Sequence, residues 1–213
     1  MRKKYPRTLH VPFSPGATSD DKVLKSLAHL QGKEVVITIK MDGENTTLYR
    51  DGFHARSLDS QHHPSRDWLA RFHAEMGYNI PAEWRICGEN LYAKHSLEYK
   101  DLPHYFMAFS VWHEVGGRDY AMSWDDTVEA LALLNLQSVP VLYRGEFSEA
   151  LLRSLIAQLD LTQNEGLVIR LAESFAYEDF TRSVAKWVRK GHVQTDEHWM
   201  HGTIVPNRLK AMT

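Results

Sequence analysis

The stretch Glu34 to Arg50, EVVITIKMDGENTTLYR, limits what this chain can fold into more than any other. Val35, Ile37 and Ile39 alternate with Val36, Thr38 and Lys40, the period-two pattern of a strand. The run meets Asp42-Gly43, a dipeptide that favours a tight reversal, so Lys40 is placed at a strand end beside a turn. Asn45 to Arg50 and Phe53 to Ser57 read as two further strands joined at Asp51-Gly52, a hairpin signal. A lysine at a strand end is most often a solvated edge charge, and by itself it points to no chemistry.

With 213 residues, a formal net charge of −2 and 43% hydrophobic residues, the chain is expected to form a single domain over residues 1–213. Any nucleic-acid binding has to use local basic patches, because the bulk charge is slightly negative. The single cysteine, Cys87, excludes an internal disulfide and suits a reducing compartment. Within the expected strand Trp84 to Glu89 it reads as a small buried hydrophobe. The N-terminus, MRKKYPRTLH, lacks the apolar run of a signal peptide, and no segment is long enough to cross a bilayer, so the expected location is cytoplasmic.

Met1 to Gly16, with three prolines and four cations, reads as an irregular solvated arm. Ser19 or Asp20 is placed to cap a helix carrying Val23, Leu24, Leu27 and Leu30 on one face. A helix from Ser65 buries Trp68, Leu69, Phe72 and Met76 and ends at Gly77; His62 and His63 before it read as a solvated loop. Tyr105 to Trp112 is a further strand, and Asn90 to Pro103 a loop long enough to suggest a functional role. Helices start at Ser123, with Val128, Leu131 and Leu134 inward, and at Ser148, with Leu151, Leu152, Leu155 and Leu159 inward. Gly166 to Leu171 and Ser183 to Val188 are strands, and His192 to Trp199 reads as a helix start on a structural or nucleic-acid-facing surface.

Six short motifs come in order: Lys40-Met41-Asp42-Gly43-Glu44-Asn45, Ala55-Arg56-Ser57, Cys87-Gly88-Glu89-Asn90, Phe106 to Ser110, Glu165 to Arg170 and Val184 to Trp187. The series resembles the covalent nucleotidyltransferase superfamily of ATP-dependent RNA ligases, DNA ligases and capping enzymes. The KxDGxN form is most similar to the phage-type RNA ligase family, and the likeness spans Lys40 to about Lys190. It implies an α+β nucleotidyltransferase domain, of the ATP-grasp-like ligase adenylation kind, with mixed, mainly antiparallel sheets and outer helices.

The resemblance also implies roles. Lys40 is the nucleophile that takes AMP from ATP, and Lys186 neutralises the α-phosphate. Asn45, Arg56, Glu89 and Phe109 contact the nucleotide, with Glu89 on the ribose and Phe109 against adenine. Glu165 is the carboxylate for Mg2+ or Mn2+. Val188 stands where the last motif commonly carries its second lysine, and strand alternation puts Lys190 on the Lys186 face as a replacement. Ile39 stands where related ligases often carry Glu. Too few residues follow Lys190 for the OB-fold domain of DNA ligases and capping enzymes, which favours a minimal RNA ligase. The expected activity is therefore joining of RNA 5′-phosphate and 3′-hydroxyl ends, in RNA repair. A DNA nick ligase and a non-catalytic nucleotide- or RNA-binding module are the alternatives. Whether the RNA ends are nicked or single-stranded, and whether a kinase or phosphatase partner prepares them, stays open.

Overall fold

The computed structural model describes residues 2–191 and 203–211. In chain order its strands are β1 (Leu9–His10), β2 (Glu34–Lys40), β3 (Glu44–Tyr49), β4 (Gly52–Ala55), β5 (Trp84–Asn90), β6 (Phe106–Val115), β7 (Arg118–Ala121), β8 (Gln137–Ser138), β9 (Val141–Glu146), β10 (Gly166–Leu171), β11 (Phe175–Ala176) and β12 (Val184–Val188). The α-helices are α1 (Asp67–Met76), α2 (Trp124–Leu133), α3 (Glu149–Gln158) and the single turn α4 (Phe180–Ser183). Among the described residues the strands build two sheets. One runs β1-β12-β10-β2-β9, the other β11-β7-β6-β5-β3-β4 with β8 beside β6. Pairing is antiparallel except for β1 with β12 and β6 with β8, so the fold is α+β with mixed, mainly antiparallel sheets.

β2 lies between β10 and β9 and is buried from Val35 through Ile39 on both faces. The apolar residues at both phases of EVVITI are what such a covered central strand needs. Its exit departs from expectation. Asp42-Gly43 does not close a hairpin, because β2 and β3 belong to different sheets and the chain crosses between them there. Gly43 is required for packing: a Cβ would meet the Asn90 carbonyl and Leu91 Cδ2, each at 2.7 Å. The Asp51-Gly52 hairpin forms as read, with Gly52 at φ +147°.

α1 and α2 cover one core that includes Leu69, Met76, Ile86, Phe106 and Leu131, whereas Leu152 of α3 joins the core around β2 and β10. In α2 the inward residues are Trp124, Thr127, Ala130 and Leu131, while Val128 faces solvent. No helix forms over Ser19 to Leu30. Asp21 accepts hydrogen bonds from the Thr18 amide and hydroxyl, and His10 exchanges backbone bonds with Lys22 and Leu24. Those local and cross-chain bonds satisfy the backbone in place of a helical ladder. The N-terminal arm is packed, not solvated: β1 extends the first sheet, His10 and Val11 are fully buried, and Lys3 pairs with Asp119. β9 had no clear sequence signal, since Val141 to Glu146 keeps most of its side chains at least partly exposed on a sheet edge. His192 to Trp199 lies outside the described residues. No helix among the described residues is long and apolar enough to cross a membrane.

Candidate active site

A cavity of about 520 Å³ opens where the two sheets face each other. The first sheet supplies Thr38, Ile39 and Lys40 from β2, Val168 from β10 and Lys186 from β12; the second supplies Asn45, Ala55, Glu89 and Phe109 from β3, β4, β5 and β6. Register explains the convergence. Val168 pairs with Thr38 on one side and Lys186 on the other, and Lys40 shares the Thr38 face of β2, so both lysines point the same way.

Lys40 Nζ donates to Glu165 Oε2 at 2.7 Å. Burial works against the ammonium, but the carboxylates of Glu165 and Glu89 outweigh it and hold Lys40 well above the ordinary lysine range. Lys186 moves the other way: burial and then the Lys40 charge bring it down to about 8. Burial also pushes Glu89 up to about 8 against the pull of Lys40, with the carboxylates of Glu165, Asp42 and Glu44 adding to the rise. The crowding of like and unlike charges in a half-closed cavity is a common mark of a functional site.

Six of the eight expected residues line this one cavity: Lys40, Asn45, Arg56, Glu89, Phe109 and Lys186. Glu165 joins them through Lys40. Lys190 does not: β12 ends at Val188, and Lys190 is exposed beyond it and absent from the cavity wall. The alternation that put it on the Lys186 face stops where the strand stops.

Several wall residues carried no readable signal. Tyr5, Pro6 and Thr8 of the N-terminal arm form part of it, with the Tyr5 ring edge-on to Phe109 at 5.1 Å. His62, His63 and Arg66 also line it, although the histidines read as a solvated loop, and Arg66 Nε donates to Glu44 Oε2 at 2.7 Å. Thr38 and Val168 could have been found from strand phase once Lys40 and Lys186 were placed.

The cavity suits a nucleotide. Its volume is in the range of small-molecule sites, and Phe109, Val139 and Val168 give it an apolar end. Glu89 Oε2 and Asn45 Oδ1 are buried without a hydrogen-bond partner among the described residues. Buried acceptors left open in this way are costly unless a ligand with donors completes them, and sugar hydroxyls are such donors. Among the described residues no three His, Cys, Asp or Glu side chains are grouped to hold a metal by themselves. A magnesium-like ion carried with phosphates needs only one or two protein carboxylates, and Glu165 can be one.

A family model described as RNA ligase matches residues 33–188. The chain belongs to the RNA ligase family. Solved structures share the fold of this RNA ligase family member: an archaeal ATP-dependent RNA ligase (TM-score 0.61, 14% identity, 88% of this chain and 48% of that chain); a Naegleria gruberi RNA ligase mutant with ATP and Mn (0.54, 17%, 76% and 52%); and a putative ATP-dependent DNA ligase from Aquifex aeolicus (0.54, 19%, 87% and 50%). The chain thus spans about half the length of these structures. No curated protein matches it in sequence.

Proposed function

We propose that this RNA ligase family member moves AMP from ATP onto Lys40, then onto the 5′-phosphate of an RNA end, which a 3′-hydroxyl attacks to close the strand. The observation that supports this most is the position of Lys40. Its amine stands in the nucleotide-sized cavity, hydrogen-bonded to Glu165, on the same sheet face as Lys186 and opposite the unpartnered Glu89 and Asn45 acceptors.

In the first step the Lys40 amine forms a P–N bond to the α-phosphorus as the P–O bond to pyrophosphate breaks, and Lys40 gives up a proton. In the second the 5′-phosphate oxygen takes the adenylyl group, the P–N bond breaks and Lys40 regains its proton. In the third the 3′-hydroxyl oxygen attacks the activated phosphate, AMP leaves and a phosphodiester forms. Lys40 held as an ammonium by Glu165 cannot start the sequence, so neutralising the Glu165 charge is what frees the amine. A divalent ion, Mg2+ or Mn2+, supplies that positive charge and Lewis-acid polarisation of phosphate oxygens when bound beside Glu165. Lys186 faces the charge that grows on the α-phosphate, Glu89 and Asn45 orient the sugar, and Phe109 gives the base a flat apolar surface.

The test is a mass spectrum of the protein after incubation with ATP and a divalent metal. A covalent AMP adduct mapped to Lys40 and lost in Lys40→Ala is expected; adduct formation unchanged in Lys40→Ala would remove Lys40 as the nucleophile.

A further inference from the structure

Lys40 closes β2, paired with Gly166, and the turn that follows it lacks what normally fixes a strand end. Residues Met41 to Gly43 cross between the two sheets, so neither ladder holds them. A loop far along the chain holds them instead. The Asp42 amide donates to the Tyr99 hydroxyl at 2.9 Å. Asp42 Oδ2 in turn accepts from the Ser96 amide, the Ser96 hydroxyl and the Leu97 amide, all at 2.7 Å. Asp42 is buried, so these four bonds are its counterpart to a sheet partner.

That loop has no regular structure of its own, and it is fixed in turn by residues 205–210. The centre of the strap is Asn207, 2% exposed. Its Oδ1 accepts from the Tyr99 amide at 2.9 Å and its Nδ2 donates to the Leu91 carbonyl at 2.8 Å. Backbone bonds at 2.8–3.0 Å on either side, Lys94 to Val205 and Leu102 to Arg208, dock the strap along the loop. The strap lies beyond residues 33–188, the span that matches the family model.

We infer that Asn207 and Tyr99 are positioning residues for the Lys40 nucleophile, acting through Asp42. The route is continuous: Asn207 fixes the Tyr99 backbone, the Tyr99 hydroxyl fixes the Asp42 amide, and Asp42 is two residues from Lys40. Neither Asn207 nor Tyr99 lines the cavity, so their loss acts on the placement of the amine and not on nucleotide contacts. A nucleophile displaced by about an ångström loses up to about 100-fold in rate, which sets the scale of the effect. The inference rests on the proposed lysine adenylylation.

The experiment measures single-turnover adduct formation on Lys40 at varied ATP in wild type, Tyr99→Phe, Asn207→Ala and the double variant, with thermal melting of each. Tyr99→Phe removes only the hydroxyl that accepts from Asp42 and leaves the strap docked. The expected result is a kcat lower by about tenfold or more in each single variant, a KM for ATP within about twofold of wild type, and a double variant no slower than the slower single. Tyr99→Phe at wild-type kcat, a loss carried by KM, or losses that multiply in the double variant would overturn the inference. Should Asn207→Ala not fold, the Tyr99→Phe comparison decides alone. No adduct in wild type overturns the adenylylation reading and this inference with it; equal adduct rates in wild type and variants overturn only the positioning role.

Discussion

Lys40 Nζ and Glu165 Oε2 are 2.7 Å apart, joined across β2 and the start of β10 by side chains that are 22% and 7% exposed. The pair ties the proposed nucleophile to the carboxylate that would hold a metal, so one contact bears on both activation and stability.

Because Glu165 favours the ammonium form of Lys40, adenylylation should depend on a divalent ion that neutralises that carboxylate. Excess chelator should abolish adduct formation, and Glu165→Ala should cut its rate by roughly 100-fold or more, since the lower lysine pKa it allows does not replace the metal. Rates measured across a chelator titration check this; full activity in excess chelator would remove the metal role.

The stability consequence is less obvious. Lys40→Ala leaves a buried carboxylate without its partner, which costs roughly 1–3 kcal/mol, whereas adding Glu165→Gln removes the stranded charge and should restore most of it. Denaturant midpoints at neutral pH for the single and double variants supply the comparison. Equal midpoints for the two variants would show that the stranded carboxylate costs nothing.

Why the sequence led to the pair, and only so far, follows from what each residue depends on. Lys40, Glu89, Phe109 and Lys186 sit in short ordered motifs on strands, where periodicity puts them on definite faces, and Glu165 stands in such a motif just before β10. The packing partners of those motifs are another matter. The residues that hold Asp42 are 54 to 57 positions away in an irregular loop, and the arm residue Tyr5 reaches Phe109 only because β1 docks on β12. Such contacts have no local period to read. The helix expected over Ser19 to Leu30 failed for the same reason: its apolar spacing was suitable, but bonds donated by Thr18 to Asp21, by His10 to Lys22 and by Leu24 to His10 outweighed it. Lys190 lies off the cavity wall because the alternation that placed it ends with β12 at Val188.

A pH prediction follows from Lys186. Its folded pKa is lowered from 10.5 to about 8 by burial and the Lys40 charge, so the amine is charged below that pH and neutral above it. If its charge counters the α-phosphate, kcat/KM for adenylylation should fall as pH rises through about 8. Glu89 ionises near the same pH, so the fall has two candidate sources. Lys186→Arg separates them, because a guanidinium stays charged throughout. The descending limb should move upward or vanish in that variant, at whatever absolute rate it retains. A limb that stays in place would assign the fall to Glu89 or another group. The same lowered pKa has a folding counterpart: the folded state binds fewer protons than the unfolded between about 8 and 10.5, so the Lys186 contribution to stability rises with pH over that window.

The last prediction concerns the polymer. A chain of net charge −2 has no bulk attraction for a phosphate backbone, so strand ends have to be held by a few local cations. Contacts of that kind weaken steeply with salt, as displaced counterions return to the nucleic acid. The choice between RNA and DNA should enter through the 2′-hydroxyl beside the break, the group that distinguishes the two polymers locally. Sealing is therefore expected to be faster on breaks flanked by ribose than on matched breaks flanked by deoxyribose, and to fall sharply from low to moderate salt for both. The comparison needs substrates that differ only in the flanking sugars, with Lys40 adduct formation followed in parallel so that the first step is known to proceed. Equal sealing of all-DNA breaks would make the protein a DNA nick ligase by activity, with the same lysine chemistry applied to a different strand.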